Sequence, residues 1–238
     1  MTKEIKLAST IMLARDHQGK LEVLLLKRNK ALAFAAGLWV FPGGKIEPEE
    51  LDQSKDELEA AKIAAVRETK EEADLDVDLD SLIFFRHWTT PVLEPRRYAT
   101  WFFFGGVNHS VSEVTIDDSE IKKHLWIEPQ AALDKLSAGE LPMMPPTIMS
   151  LQLIRKCKSV VEVENFLREI EPVFILPVLQ LVDGKMNCMY EGDAGYPTGN
   201  ANEVGARHRL VLNFTKGEFV FEYSDCEDVI PVNGGMHL

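Results

Sequence analysis

Three glutamates, Glu68, Glu71 and Glu72, stand at i, i+3 and i+4 in a segment that reads as a helix ending near Ala73. That spacing puts their carboxylates on one face. Ala61, Ala64 and Ala65 lie one to two turns earlier on the same side, and Ile63, Val66 and Ala73 are expected to point the opposite way, toward a core. Like charges clustered on a helix destabilise it unless a cation neutralises them, and the hard cations Mg²⁺ and Mn²⁺ accept this ligand type. A run of glutamates is more often a solvated face, but two neighbours argue for chemistry. Gly43 and Gly44 follow the strand-like Trp39-Val40-Phe41, where backbone without side chains can approach a ligand or offer a carbonyl to a metal. Glu50 stands six residues after Gly44, ahead of the helix.

The elements that must position these groups alternate between strand and helix patterns. Residues 5–13 and 21–27 read as strands separated by the turn Asp16-His17-Gln18-Gly19. Pro42-Gly43-Gly44 punctuates the chain, and an acidic stretch over 47–59 leads into the glutamate helix. Residues 82–85, 100–107 and 124–127 are further expected strands, and Pro129 opens a helix through Leu136. The texture changes at Leu141-Pro142-Met143-Met144-Pro145-Pro146. Beyond it, 147–156 and 161–170 read as helices. Residues 173–182, 210–214 and 219–223 read as strands, with turns at Asp183-Gly184 and at 215–218. The expected organisation is a mixed α/β domain over 1–142 and a helical-then-β extension over 143–238, packed on it because 142–146 is short for a free linker.

From Gly44 to Leu75 the chain resembles the signature of the Nudix hydrolases. That pattern reads Gly, five residues, Glu, seven residues, then Arg-Glu-apolar-x-Glu-Glu-x-Gly-apolar. Gly44, Glu50, Arg67, Glu68, Glu71, Glu72 and Leu75 fill the corresponding places in order. Three positions depart from it. Sixteen residues separate Glu50 from Arg67 instead of seven, an insertion in a loop where extra length costs little. Thr69 replaces a larger aliphatic residue, and Asp74 replaces the final glycine, where Asp tolerates a left-handed backbone better than most residues. The widened box is similar to the branch that includes peroxisomal coenzyme A diphosphatases. So are Val23-Leu24-Leu25-Leu26-Lys27-Arg28, Thr90-Pro91, Arg96-Arg97-Tyr98 and Pro145-Pro146-Thr147. The resemblance implies an α/β fold, an α/β/α sandwich around a mixed sheet.

The resemblance further implies hydrolysis of a nucleoside diphosphate linked to a second group X, with Mg²⁺ or Mn²⁺ bridging the diphosphate and activating water. Glu68, Glu71 and Glu72 would be metal ligands, and Gly44 would add its carbonyl. Glu50 would be a ligand or would accept a hydrogen bond just outside the ligand set, and Arg67 would orient the carboxylates. For the general base the candidate is Glu120, with Asp117, Asp118, Glu113 and the box glutamate Glu71 as competitors. Arg28, Arg96 and Arg97 are candidate phosphate-binding cations, and Trp88 and Tyr98 are either base-stacking or packing residues. Coenzyme A or an acyl-coenzyme A leads among substrates, followed by nucleotide sugars, NADH and ADP-ribose. A non-catalytic nucleotide sensor on the same fold is the alternative, opposed by the complete set of box carboxylates.

Composition sets the remaining bounds. Lys and Arg number 26 against 38 Asp and Glu, a formal charge of −12. That field repels polyanions, so no nucleic-acid polymer is expected as a partner. Bound divalent cations would invert the sign locally, so a small diphosphate substrate stays compatible. No apolar run approaches membrane-spanning length, and the start of the chain lacks the apolar core of a secretory signal. Cys157, Cys188 and Cys226 have no CxxC spacing, which favours a reducing, cytoplasmic setting. Met236-His237-Leu238 departs from the Ser-Lys-Leu peroxisomal address. A homodimer is left open.

Overall fold

Strand β1 (Ile5–His17) organises the first sheet, because it is buried along both sides. Met12 and Ala14 face one core cluster and Ile11 and Leu13 the other, each essentially without exposure. Burial on both faces explains why the segment reads as an apolar run rather than a strict alternation. A computed structural model describes residues 4–32, 34–107, 113–213 and 218–225 of the 238. The expected turn at 215–217, Cys226 and Met236-His237-Leu238 lie outside the described residues.

β1 turns into β2 (Lys20–Arg28) through Gln18 and Gly19, both at positive φ (51° and 75°). Two consecutive left-handed residues make the tight hairpin turn that suits twisted antiparallel strands. β3 (Trp39–Val40) lies on the far edge of β2, and β4 (Gly43–Lys45) pairs antiparallel with the middle of β1. β5 (Ile83–Thr89) and β6 (Arg97–Gly106) form an antiparallel pair, and β6 runs parallel to β1 from Ile5↔Arg97 to Ala14↔Gly106. β7 (Ile121–Ile127) returns to β2. The path is β3-β2-β1-β6-β5-β8, where β8 is Val173–Ile175, parallel to β5.

Helices cover both faces of this mixed sheet. The acidic stretch is itself partly helical: α1 (Pro48–Gln53) starts on Pro48 and is closed by a capping box between Glu47 and Glu50. Glu50 therefore stands ahead of the glutamate helix, as expected, but on a short helix of its own. α2 (Glu57–Ala73) begins at the cap Asp56, whose side chain accepts from the Glu59 amide at 2.8 Å, and ends at Asp74, which adopts the left-handed conformation (φ 55°). Its inward face differs from the expected one. Ala60, Ala61, Ala64 and Ala65 are fully buried against β1 and β4, whereas Ile63 and Val66 are only half-buried. Small side chains let the helix lie close to the sheet, and the same stripe continues into Glu68 and Glu72. Glu68 and Glu72 thus lie on the inner face, whereas Glu71 is exposed. Thr69, where the pattern has an aliphatic residue, is fully buried and donates to the Ala65 carbonyl at 2.8 Å.

On the other face, α3 (Pro129–Ser137), α4 (Pro145–Ile154) and α5 (Val160–Glu169) share one core with Trp88, Phe102, Tyr190 and Leu210. The expected strand over 173–182 is broken at Leu176-Pro177, since proline cannot donate to a ladder. Its first part is β8 and its second is β9 (Val178–Val182). β9 opens a separate antiparallel sheet with β10 (Lys185–Met189), β11 (Arg207–Asn213) and β12 (Glu218–Ser224), in the order β12-β11-β10-β9. Sequence reading missed β10, because Lys-Met-Asn-Cys-Met is short and carries none of the β-branched or aromatic residues that mark a strand, although Met186 and Cys188 alternate with Lys185 and Asn187.

The long connection over 190–206 is pinned by one buried ion pair. Arg209 donates to Asp193 from Nε and Nη2 at 2.7 and 2.6 Å and to the Ala201 carbonyl at 2.7 Å. Asp193 also accepts from the His208 and Gly195 amides at 2.9 and 2.8 Å. Removing one partner strands a buried charge, a loss of about 3–5 kcal/mol. Asp193→Ala should therefore lower the denaturant midpoint by an equivalent amount in chemical unfolding. A loss under about 1 kcal/mol, the range of exposed pairs, would contradict the anchoring role.

Candidate active site

The site is built where backbone without side chains meets charged side chains. The Pro42 carbonyl accepts from Thr10 Oγ1 at 2.6 Å and from the Ile11 amide at 3.0 Å, which seats the turn on β1. A Cβ on Gly43 would overlap the Ser9 carbonyl oxygen and Thr10 backbone, and one on Gly44 would overlap the Glu68 carboxylate. Gly43 accordingly requires glycine, whereas a side chain at Gly44 would have to displace the Glu68 carboxylate. The Gly43 amide donates to Glu72 Oε2 at 2.9 Å, so the turn and the last coil of α2 are hydrogen-bonded directly.

Two arginines distribute the negative charge. Arg67 donates from Nε to Glu50 Oε1 at 2.8 Å, from Nη1 to Glu68 Oε1 at 2.9 Å and Glu71 Oε2 at 3.2 Å, and from Nη2 to the Lys45 carbonyl at 3.0 Å. Glu50 Oε2 in turn accepts from the Glu47 amide at 2.8 Å. Arg28, at the end of β2, lies 3.7 Å from Glu72 Oε1 and 3.3 Å from Glu120 Oε2. Glu120 is brought there by a turn that Asp117 holds, accepting from the Glu120 and Ile121 amides at 2.9 Å each. Burial works against Asp117, but these bonds and those from Ser119 keep its carboxyl below the usual range. Asp118 pairs with Lys122, and neither it nor Glu113 lines the cavity described below.

Burial pushes the Glu72 carboxyl up to about 8; Glu68 and Glu120 add repulsion, while the Gly43 amide and Arg28 oppose the shift. Burial likewise raises Glu68, with Arg67 opposing and Glu71 and Glu120 adding to it. The bond to Glu50, above all, raises Arg67 and keeps it charged. Among the described residues, no group of three or more His, Cys, Asp or Glu side chains is arranged to hold a metal ion. Arg67 and Arg28 take up the carboxylate oxygens instead. The donor set nevertheless suits a hard divalent cation. It consists of carboxylates, two of them destabilised as anions by burial and mutual repulsion, beside a turn with no side chain to obstruct an ion.

A cavity of about 990 Å³ opens over this cluster. Glu68, Glu71, Glu120, Arg28, Arg67 and Arg96 line it; Glu50, Glu72 and Arg97 do not. Arg97 instead donates to the Thr90 carbonyl at 3.1 Å and braces the β5–β6 hairpin. Trp88 and Tyr98 line the cavity, with Tyr98 against Phe34 at 5.0 Å between ring centroids. Sequence reasoning missed Ser9, whose buried hydroxyl faces no partner among the described residues and lines the same cavity. A serine inside an apolar strand carries no signal that would have found it. It also missed the residues of the second sheet that complete the wall.

Glu72 keeps its proton to about 8 in the folded state but releases it near 4.5 in an unfolded chain. Between those values the metal-free folded protein holds the extra proton, so it loses stability as pH rises through the window. Thermal melts in chelator should show the melting temperature falling from about pH 5 to about pH 8, with a flatter fall in Glu72→Gln. Equal slopes in the two proteins would contradict the assignment.

The sequence model of the NUDIX domain matches residues 6–146. A NUDIX hydrolase from Alicyclobacillus acidocaldarius has a similar structure, with a TM-score of 0.63 at 23% identity over 69% of this chain and 97% of that one. The NUDIX domain of Shewanella oneidensis NrtR, solved in complex with ADP-ribose, gives 0.50 at 17% identity over 63% of this chain and 86% of its own. At these identities the structures speak to fold alone. No curated protein sequence matches the chain significantly. With more than half of its length matched, the chain belongs to the NUDIX family of hydrolases, which act on nucleoside diphosphates linked to a second group.

Proposed function

We propose that the protein is a divalent-metal-dependent diphosphatase that cleaves the diphosphate of a nucleoside diphosphate linked to X. The observation that carries this reading is the seating of Glu68 and Glu72 against Gly43 and Gly44, with Glu120 facing them across Arg28. In this reading Glu68, Glu71 and Glu72 hold Mg²⁺ or Mn²⁺, joined by the Gly44 carbonyl. The bound ion would neutralise the diphosphate and lower the pKa of the attacking water. Glu50 acts through Arg67, which fixes the rotamers of Glu68 and Glu71. Glu120 takes the water proton on its carboxylate. Arg28 and Arg96 line the cavity and bind phosphate oxygens, while Arg97, committed to Thr90, keeps the hairpin in place.

Coenzyme A or an acyl-coenzyme A is the proposed substrate. The resemblance of 23–28, 90–98 and 145–147 to the coenzyme A diphosphatase branch supports it, as does a cavity large enough for an extended ligand. We divide the chain into a hydrolase domain over 1–142 and a packed extension over 143–238, a division supported by the domain match ending at residue 146. No helix among the described residues is long and apolar enough to cross a membrane. Cys157 and Cys188 are free thiols, in keeping with a proposed cytoplasmic setting.

Product analysis on coenzyme A, an acyl-coenzyme A, NADH, ADP-ribose and a sugar nucleotide, with Mg²⁺, Mn²⁺ or chelator, tests the reading. Metal-dependent release of two phosphorylated products is expected, and Arg67→Ala should reduce the rate about 10–100-fold by loosening the ligands. Turnover that survives chelator would overturn the metal dependence. Ligand-induced thermal shifts without turnover across the panel would indicate a sensor.

A further inference from the structure

We infer that the four-stranded sheet of the extension forms an apolar subsite for X, so that preferred substrates carry an aliphatic chain beyond the diphosphate. The inference rests on the diphosphatase reading of the carboxylate end of the cavity. Leu179, Met186, Cys188, Leu212 and Phe219 line the same cavity as Glu68 and Glu120. They are cross-strand neighbours on one face of the sheet: Leu179 is opposite Cys188, and Met186, Leu212 and Phe219 form one row across three strands. Among the described residues of this sheet, Asn213 is the one polar residue that lines the cavity, and no charged one does.

Several polar residues of the sheet go to its other face, while His208 and Tyr223 lie on the inner face beyond Leu210 and Phe221. Gln180, Asn187 and Arg209 occupy the alternate positions, and Arg209 is consumed by Asp193. The inner face is not simply core. Leu210 and Cys188 are buried, but Leu179, Met186, Leu212 and Phe219 remain half-exposed to the cavity, and Leu181, opposite Met186, is 64% exposed. An apolar row thus runs from the cavity wall toward solvent. At about 990 Å³ the cavity lies at the upper end of small-molecule sites, about 300–1,000 Å³. A nucleoside diphosphate at the charged end leaves room for more, and burial of a chain against leucine, methionine and phenylalanine drives its binding.

The test uses adenosine 5′-diphosphates esterified on the β-phosphate with methyl, butyl or octyl groups. Methylene-bridged, non-hydrolysable versions are measured alongside by calorimetry in Mg²⁺. Affinity of the bridged series should rise about fourfold per methylene over the first few carbons, and Leu212→Glu should remove that gain. Equal affinity for methyl and octyl analogues, or no binding of either, would overturn the subsite, and the wild-type series alone decides this if Leu212→Glu does not fold. Rising affinity with no hydrolysis of the ester series would keep the subsite and remove the diphosphatase reading. Hydrolysis with a flat series would do the reverse.

Discussion

The structure depends on a close approach of backbone to carboxylate. Gly43 and Gly44 are wedged between β1 and the inner face of α2, and any side chain there would overlap Ser9 or Glu68. Much of the fold serves this contact. The alanines of α2 bring the helix near enough to the sheet, β4 pins the turn along β1, and Asp74 ends the helix one residue after its last buried alanine. A bulkier helix face would lift Glu68 and Glu72 away from the turn, and the cluster would become a solvated acidic surface.

The same contact creates an electrostatic problem that the chain solves with two arginines. Burial alone would favour protonated glutamates. Arg67 ties Glu50, Glu68 and Glu71 to one fork, and Arg28 sits between Glu72 and Glu120. The compensation is incomplete, since Glu72 and Glu68 still rest above the usual carboxylate range. Residual repulsion of that kind would favour the divalent cation proposed above, whose binding would relieve it. A chain carrying a formal charge of −12 can in this way present an attractive site to a diphosphate.

Sequence reading placed the candidate site more readily than the architecture around it. Spacing alone put Glu68, Glu71 and Glu72 together, and the turn at Gly43-Gly44 was visible because glycine pairs have few structural meanings. The inner face of α2 was misread because Ile63 and Val66 are the more apolar residues, yet close packing selected the smaller alanines. Helix α1 was hidden in the acidic stretch, where its capping box between Glu47 and Glu50 was the readable signal. Pro177 announced the break between β8 and β9, but nothing local says that the two halves join different sheets. The contribution of the extension to the cavity is a tertiary fact, which no pattern in 173–225 encodes.

Electron paramagnetic resonance of Mn²⁺ added to the protein near pH 8 tests the central claim most directly. The account predicts a bound Mn²⁺ signal that is weakened in Glu68→Gln and Glu72→Gln, with both variants folded as judged by their melting curves. Free Mn²⁺ only, in wild-type protein at millimolar metal, or binding unchanged in both variants, would contradict it.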